Sequence, residues 1–138
     1  MGNRKEYLQE YYQAHKEKLK RRAYAWRKTE KGKLYCKGYY KNHREQCNLN
    51  GRNSHNKLKQ RVLTHYGNGE IACVKCRESR MACLSIDHID GGGLKHRIGL
   101  GVKGGVSFYH WLEKNSYPIG YQTLCMNCQF VKREETTN

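Results

Sequence analysis

With 138 residues, 37% apolar and 28% charged, and a formal net charge of +15, the chain has room for one compact domain plus an appendage, and too little apolar material for a large core. No apolar run approaches membrane-spanning length, and charge runs through the first twenty residues, where a secretory signal would need an apolar stretch. Seven cysteines, an odd number, argue against a complete disulfide framework, so the expected setting is intracellular, with reduced thiols free to bind a metal that staples the small core.

The charge is unevenly placed. Met1 to Tyr66 carries 18 Lys+Arg against 5 Asp+Glu, whereas Gly67 to Asn138 carries 9 against 7. The expected organisation is therefore a basic, mostly helical arm over 1–66 and a nearly neutral module over 67–138. In the arm, Leu8, Tyr12, His15, Leu19, Arg22 and Trp26 alternate steps of four and three and share one helical stripe. "TEKGK" (Thr29 to Lys33) reads as a turn centred on Gly32, and a second helix is expected from about Leu34 to Cys47. "YYQAHKE" (Tyr11 to Glu17) returns as "YYKNHRE" (Tyr39 to Glu45), offset by 28 positions. "SHNKLKQRVLTHYG" predicts a third helix with Ser54 as N-cap, ending at Gly67, with Leu58, Val62 and Tyr66 on its stripe.

A charged helix is ordinarily just a solvated one. Here the excess is nearly of one sign, so internal salt bridges cannot satisfy it, and a polyanion is the expected partner. The tyrosine-rich apolar side differs from an interfacial membrane helix, so nucleic acid is favoured over a membrane surface. The cations expected to meet phosphate are Lys16, Lys20, Arg21, Arg22, Arg27 and Lys28 in the first helix, Lys41 and Arg44 near the second, and Lys57 and Arg61 in the third. Nothing in the arm spells out a base-reading code.

From Gly67 the texture changes. "GNGE" is a turn, and Met81 to Ile89 reads as a short strand. The glycine-rich stretch from Gly91 to Gly105 is expected to be loop. "VSFYHWLEKNSYP" predicts a helix that packs Phe108, Trp111 and Leu112 inward and ends before Pro118. A short strand at Tyr121 to Leu124 and a last helix at Asn127 to Glu134 complete the reading.

Two motifs carry the chemistry. The first is "CVKC" with "CMNC": Cys73, Cys76, Cys125 and Cys128 form two CxxC knuckles, the arrangement that tetrahedral structural zinc prefers. A redox motif is the competing reading, but it needs one such pair rather than two. Cys36, Cys47 and Cys83 read as ordinary thiols. The second motif is "LSIDHIDGGG". A four-cysteine ion is coordinatively closed, so reactivity must lie elsewhere. An Asp beside a His is commonly a surface pair. Three features favour more for Asp87 and His88: they lie between the knuckles, at a strand end opening into glycines that admit a polymer backbone, behind a polycationic arm. Asp90 is expected to cap the glycine turn.

The pattern from Cys73 to Lys132, "C-x2-C … L-S-I-D-H-I-D-G-G-G … Y-P-I-G-Y-Q-T-L-C-M-N-C-Q-F-V-K", resembles the HNH, or His-metal finger, endonucleases, in the zinc-knuckle form found in phages, mobile introns and endonuclease VII-like resolvases. The resemblance covers a little under half of the chain. It implies an α+β fold, a zinc-stapled ββα-metal module with the basic helical extension in front of it. It implies His88 as the general base that takes a proton from the attacking water, Asp87 as ligand to a catalytic Mg²⁺ or Mn²⁺, and DNA ends left as 5′-phosphate and 3′-hydroxyl. The position after the last knuckle cysteine, normally Asn or His, is Gln129, which keeps the amide oxygen but reaches about one bond, ~1.5 Å, further. Gly120 stands near the place of the family's middle Asn.

The residue types suit the chemistry. Neutral imidazole suits water activation, and hard oxygen ligands suit a hard divalent ion. Arg97, with Lys95 and His96 beside it, is positioned by sequence to clamp a phosphate or to lie in a solvated basic loop. Lys132 and Arg133 on the last helix are expected at the nucleic-acid backbone. The expected partner is double-stranded DNA, ahead of branched DNA or RNA, and cutting both strands requires a homodimer or two sequential nicks. The rival is a non-catalytic, zinc-dependent DNA-binding protein whose site has decayed at Gln129.

Overall fold

A computed structural model of the chain describes residues 3–137. It is a mostly helical α+β structure. Three helices come first: α1 (Arg4–Lys28), α2 (Glu30–Asn42) and α3 (Arg44–Tyr66). A 3-10 turn (Met81–Cys83) leads into β1 (Leu84–His88), followed by α4 (Gly93–Gly99), α5 (Val106–Lys114), β2 (Tyr121–Cys125) and α6 (Met126–Thr137). The chain divides into two compact units between Leu49 and Asn50, within α3. Among the described residues, no helix is long and apolar enough to cross a membrane.

In the first unit, Asn3 caps α1 by accepting a hydrogen bond from the Lys5 amide at 3.1 Å. The expected turn at Gly32 narrows to one residue. Thr29 is at once the last cap of α1 and the first of α2: its hydroxyl donates to the Trp26 carbonyl at 2.7 Å and accepts from the Gly32 amide at 3.1 Å. Gly32 lies inside the first turn of α2. Its role is close approach rather than turning, because a Cβ there would stand 2.1 Å from the Trp26 carbonyl oxygen. The predicted stripe of α1 stays open: Leu8, Tyr12 and Trp26 are exposed, and α1 has no buried residue. The repeat instead builds two matching aromatic ladders. Tyr7, Tyr11 and His15 follow one another along α1 with ring centroids 6.4 and 4.4 Å apart; Tyr35, Tyr39 and His43 do so from α2 into its C-cap at 6.4 and 4.2 Å. Trp26 meets Tyr35 edge-on at 5.5 Å and joins the two helices.

The second helix ends at Asn42, short of the expected Cys47, and α3 runs unbroken through Asn50–Ser54. Ser54 is therefore a helix-interior residue and not a cap. A glycine in a helix costs only about 1 kcal/mol, so Gly51 does not stop α3, and the helix downstream is anchored by burial. Leu58, Val62 and Tyr66 pack with Phe108, Tyr109 and Leu112, while Leu63 packs with Cys73, Leu84, Leu124 and Cys125. Residues 50–66, grouped with the arm by charge, thus belong to the second unit's core.

The two strands pair antiparallel, with Leu84 opposite Cys125, Asp87 opposite Gln122 and His88 opposite Tyr121. Alternation along each strand sends neighbours to opposite faces. The buried Thr123 hydroxyl donates to the Leu63 carbonyl at 2.9 Å and ties β2 to α3. The expected strand Met81–Ile89 begins later, after the 3-10 turn. The expected glycine loop holds a helix: Gly91 and Gly92 turn the chain with positive φ, "LKHRI" then coils, and Gly101 and Gly105, again at positive φ, follow its end. In α5, Phe108 and Leu112 are buried as expected, together with Tyr109, whereas Trp111 is only half-buried.

Candidate functional site

The four knuckle cysteines converge on one metal site. The first knuckle is a tight turn: the Cys73 amide donates to the Glu78 carbonyl at 2.8 Å, and the Arg77 amide to the Cys73 carbonyl at 3.0 Å. It is stitched to β2 by the Val74 amide, which donates to the Thr123 carbonyl at 3.0 Å. The second knuckle starts at the last residue of β2 and ends in the first turn of α6, where the Cys128 amide donates to Cys125 Sγ at 3.4 Å. All four sulfurs lie within 4.8 Å of one another, against about 3.8 Å expected at the corners of a tetrahedron with ~2.3 Å metal–sulfur bonds. The sulfurs of Cys76 and Cys125, 3.5 Å apart, belong to different knuckles, which is convergence on a centre rather than pairing within one redox motif.

The electrostatics agree. Burial works against a Cys73 thiolate, but backbone amides and the Cys76 side chain outweigh it and bring the Cys73 thiol down to about 6. Burial, reinforced by the neighbouring thiols, pushes Cys128 up to about 12. Four thiols crowded together cannot all ionise unless a cation shares the space. Cys36, Cys47 and Cys83 take no part in such a cluster among the described residues.

The Asp87–His88 pair lies at the far end of β1 from this centre. A cavity of 190 Å³ is lined by Asp87, His88, Gly93, Arg97, Phe108 and Gln129, among others. The three residues assigned by resemblance to catalysis therefore share one pocket. Within the strand pair, Asp87 and Gln122 face one side, with the Gln122 amide donating to Asp87 Oδ2 at 2.9 Å, and His88 and Tyr121 face the other, ring centroids 4.8 Å apart; the cavity lies at the strand end, where both Asp87 and His88 line it. His88 also stacks on Phe108 at 5.6 Å. Burial first, then the adjacent His96, hold the His88 imidazole below its ordinary pKa, which favours the neutral ring.

Gln129 arrives from the first turn of α6. Its amide nitrogen donates to Ser85 Oγ at 2.7 Å and to the Leu124 carbonyl at 3.2 Å. Arg97 reaches the cavity from α4 past Gly104, where a Cβ would stand 3.0 Å from the guanidinium. Lys132 differs from expectation. Its ammonium turns inward, donating to Asp87 Oδ2 at 2.6 Å and to the His88 carbonyl, and the pair is only 15% and 16% exposed. An ion pair with Asp87 compensates a nearly buried ammonium for the water it gives up. The glycine turn is closed by backbone, the Gly91 amide donating to the His88 carbonyl at 3.0 Å, and Asp90 lines an adjoining cavity of 490 Å³ instead.

Of the arm's cations, Arg21, Arg22, Arg27, Lys41 and Arg44 are exposed and Lys16 is half-buried. Lys20 pairs with Glu17 at 3.0 Å, and Lys28 sits over the Tyr24 ring at 4.4 Å. In the second unit, Lys57 is exposed, and Arg61 is bound to Glu113 at 2.6 Å. Sequence reasoning puts His96 in a second rank. Its Nδ1 lies 3.0 Å from His88 Nε2 and 3.4 Å from the Tyr121 hydroxyl, contacts created by α4, the helix that the glycine content conceals.

Comparison with protein-family models, curated proteins and solved structures returned no match to this chain.

Proposed function

We propose that the chain is a metal-dependent endonuclease of the HNH type that nicks DNA, with a structural Zn²⁺ held by Cys73, Cys76, Cys125 and Cys128. The observation that carries this reading is that His88, Asp87, Gln129 and Arg97 all line one 190 Å³ cavity, with the His88 imidazole held below its ordinary pKa by burial. The donor set fits a hard ion. Asp87 and Gln129 offer two oxygens, and Mg²⁺ or Mn²⁺ commonly completes its shell with water and substrate oxygens. Such an ion supplies neutralisation of the charge that builds on the phosphate and the leaving 3′ oxygen. His88 accepts the proton of the attacking water. Arg97, at the cavity, holds a non-bridging phosphate oxygen. The basic first unit supplies long-range attraction for the polyanion.

Supercoiled plasmid with Mg²⁺ or Mn²⁺, with and without EDTA, tests this beside His88→Ala. Metal-dependent nicking that the substitution lowers by about 10²- to 10⁴-fold supports it. Binding without nicking in every condition sinks it. That outcome favours the rival, a zinc-dependent DNA-binding protein, which has its own support: Lys132 neutralises Asp87, and the Gln129 amide is committed to Ser85.

A further inference from the structure

The geometry points to His96 as the positioning residue of the site, the group that fixes which nitrogen of His88 is free to take a proton. This inference rests on the nuclease reading of His88, but the contact itself does not.

An imidazole has two nitrogens. In the neutral ring one carries hydrogen and the other a lone pair. His88 Nε2 is engaged by His96 Nδ1 at 3.0 Å, a hydrogen-bond distance. Only Nδ1 of His88 is then left for chemistry, and His88 and Gly93 both line the 190 Å³ cavity. A Cβ on residue 93 would stand 2.7 Å from His88 Nδ1 and 3.0 Å from its Cε1, so any side chain there would crowd that atom. For Nδ1 to act as a base it must bear the lone pair. The hydrogen is then on Nε2 and is donated to His96 Nδ1, and His96 in turn carries its own hydrogen on Nε2. The reverse arrangement, His96 donating, would put hydrogen on His88 Nδ1 and disable it.

His96 is itself held. Its ring lies edge-on to Trp111 at 5.7 Å and to Phe108 at 6.4 Å, and the Tyr121 hydroxyl is 3.4 Å from the same Nδ1, farther than His88 Nε2. Phe108 and Tyr121 also flank His88, so the two rings share one aromatic box. No residue spacing in the sequence announces this partnership. It exists because Gly91 and Gly92 reverse the chain and return the helix α4 across the end of β1.

The test uses the zinc-loaded full chain and two readouts. In long-range ¹H–¹⁵N spectra of neutral His88, we expect Nε2 protonated and Nδ1 unprotonated, with an Nε2 proton protected from exchange. His96→Leu, which keeps bulk but has no acceptor, and His96→Ala should both lose that protection. His96→Asn, whose amide oxygen sits near the Nδ1 position, should restore it. In plasmid nicking, the Leu and Ala variants should lower kcat by about 10- to 100-fold with KM for DNA little changed, and the Asn variant should recover most of it. Hydrogen found on His88 Nδ1 overturns the assignment, and so does an Nε2 proton unaffected in both variants. If His88 is needed for nicking but His96→Leu nicks at the wild-type rate, the positioning role fails and the nuclease reading survives. If nothing nicks, the nuclease reading fails and the spectra still decide the contact.

Discussion

Helix α1 of the first unit buries none of its 25 residues, whereas the second unit hides Val62, Leu63, Leu112, Thr123 and Leu124 from solvent completely. The two regions are built on different physics. The first is a polycation held by a shared cap at Thr29 and a glycine that lets two helix ends touch. The second wraps a small apolar core around four sulfurs, and its 89 residues carry 13 Lys+Arg against 7 Asp+Glu, where the first unit's 49 carry 14 against 5. The contrast teaches that charge and order are partitioned here. The unit with the denser positive charge has the least core, and the unit that holds the proposed catalytic residues is the one with the four-cysteine site.

That partition can be broken experimentally, beginning with the largest effect. Stripping the metal with a strong chelator should abolish the cooperative unfolding transition of the second unit. Structural zinc contributes on the order of 10 kcal/mol to such sites, about as much as the whole stability of a small domain. Helical circular dichroism from the first unit should persist. A transition that survives complete metal removal would refute the staple.

Gly32→Ala should strike the first unit instead. A methyl group 2.1 Å from the Trp26 carbonyl oxygen must push α1 and α2 apart, at a cost of about 1–3 kcal/mol. Hydrogen exchange around Thr29 reads it out, and the second unit's melting temperature should not move. Gly93→Ala sharpens the comparison inside the second unit. The added methyl crowds His88 Nδ1, so nicking should fall at least about tenfold, or ~1.4 kcal/mol in barrier, while zinc content stays put. Equal activity in that variant would argue that Nδ1 is not where the water sits.

The smallest effect separates the units by salt. Replacing Arg21 and Arg22 with Ala should lower the slope of log affinity for duplex DNA against log salt by about 2, near 0.9 for each phosphate that is no longer neutralised. The rate of nicking at saturating DNA should be unchanged. A slope that does not move would mean that the first unit's charge does not meet phosphate.

Much of the site is legible in the sequence because its signals are local. CxxC repeats place two sulfurs a turn apart wherever they occur, and "SIDH" followed by three glycines marks a strand that ends abruptly. Two short apolar runs likewise mark both strands. What escapes the sequence is non-local or hidden by composition. The glycine count between Gly91 and Gly105 suggests loop, but only the glycines at positive φ turn the chain, and the residues between them coil. Ser54 has the identity of a helix cap, but α3 runs through it, and burial of Leu58 and Val62 anchors the helix downstream. Lys132 reads as a surface cation because nothing in its neighbours reveals a carboxylate 45 positions away.

By itself, then, the order of residues determined the four-cysteine cluster, the uneven placement of charge and the presence of a strand carrying Asp87 and His88, since each depends on identity and short spacing. Tertiary structure alone decided that α3 serves the second unit's core, that Lys132 turns toward Asp87, and that His96 meets His88. Those outcomes depend on where a returning helix lands, and a hydrogen bond of 3.0 Å between side chains eight residues apart exists only once the packing around Phe108 and Tyr121 has brought them together.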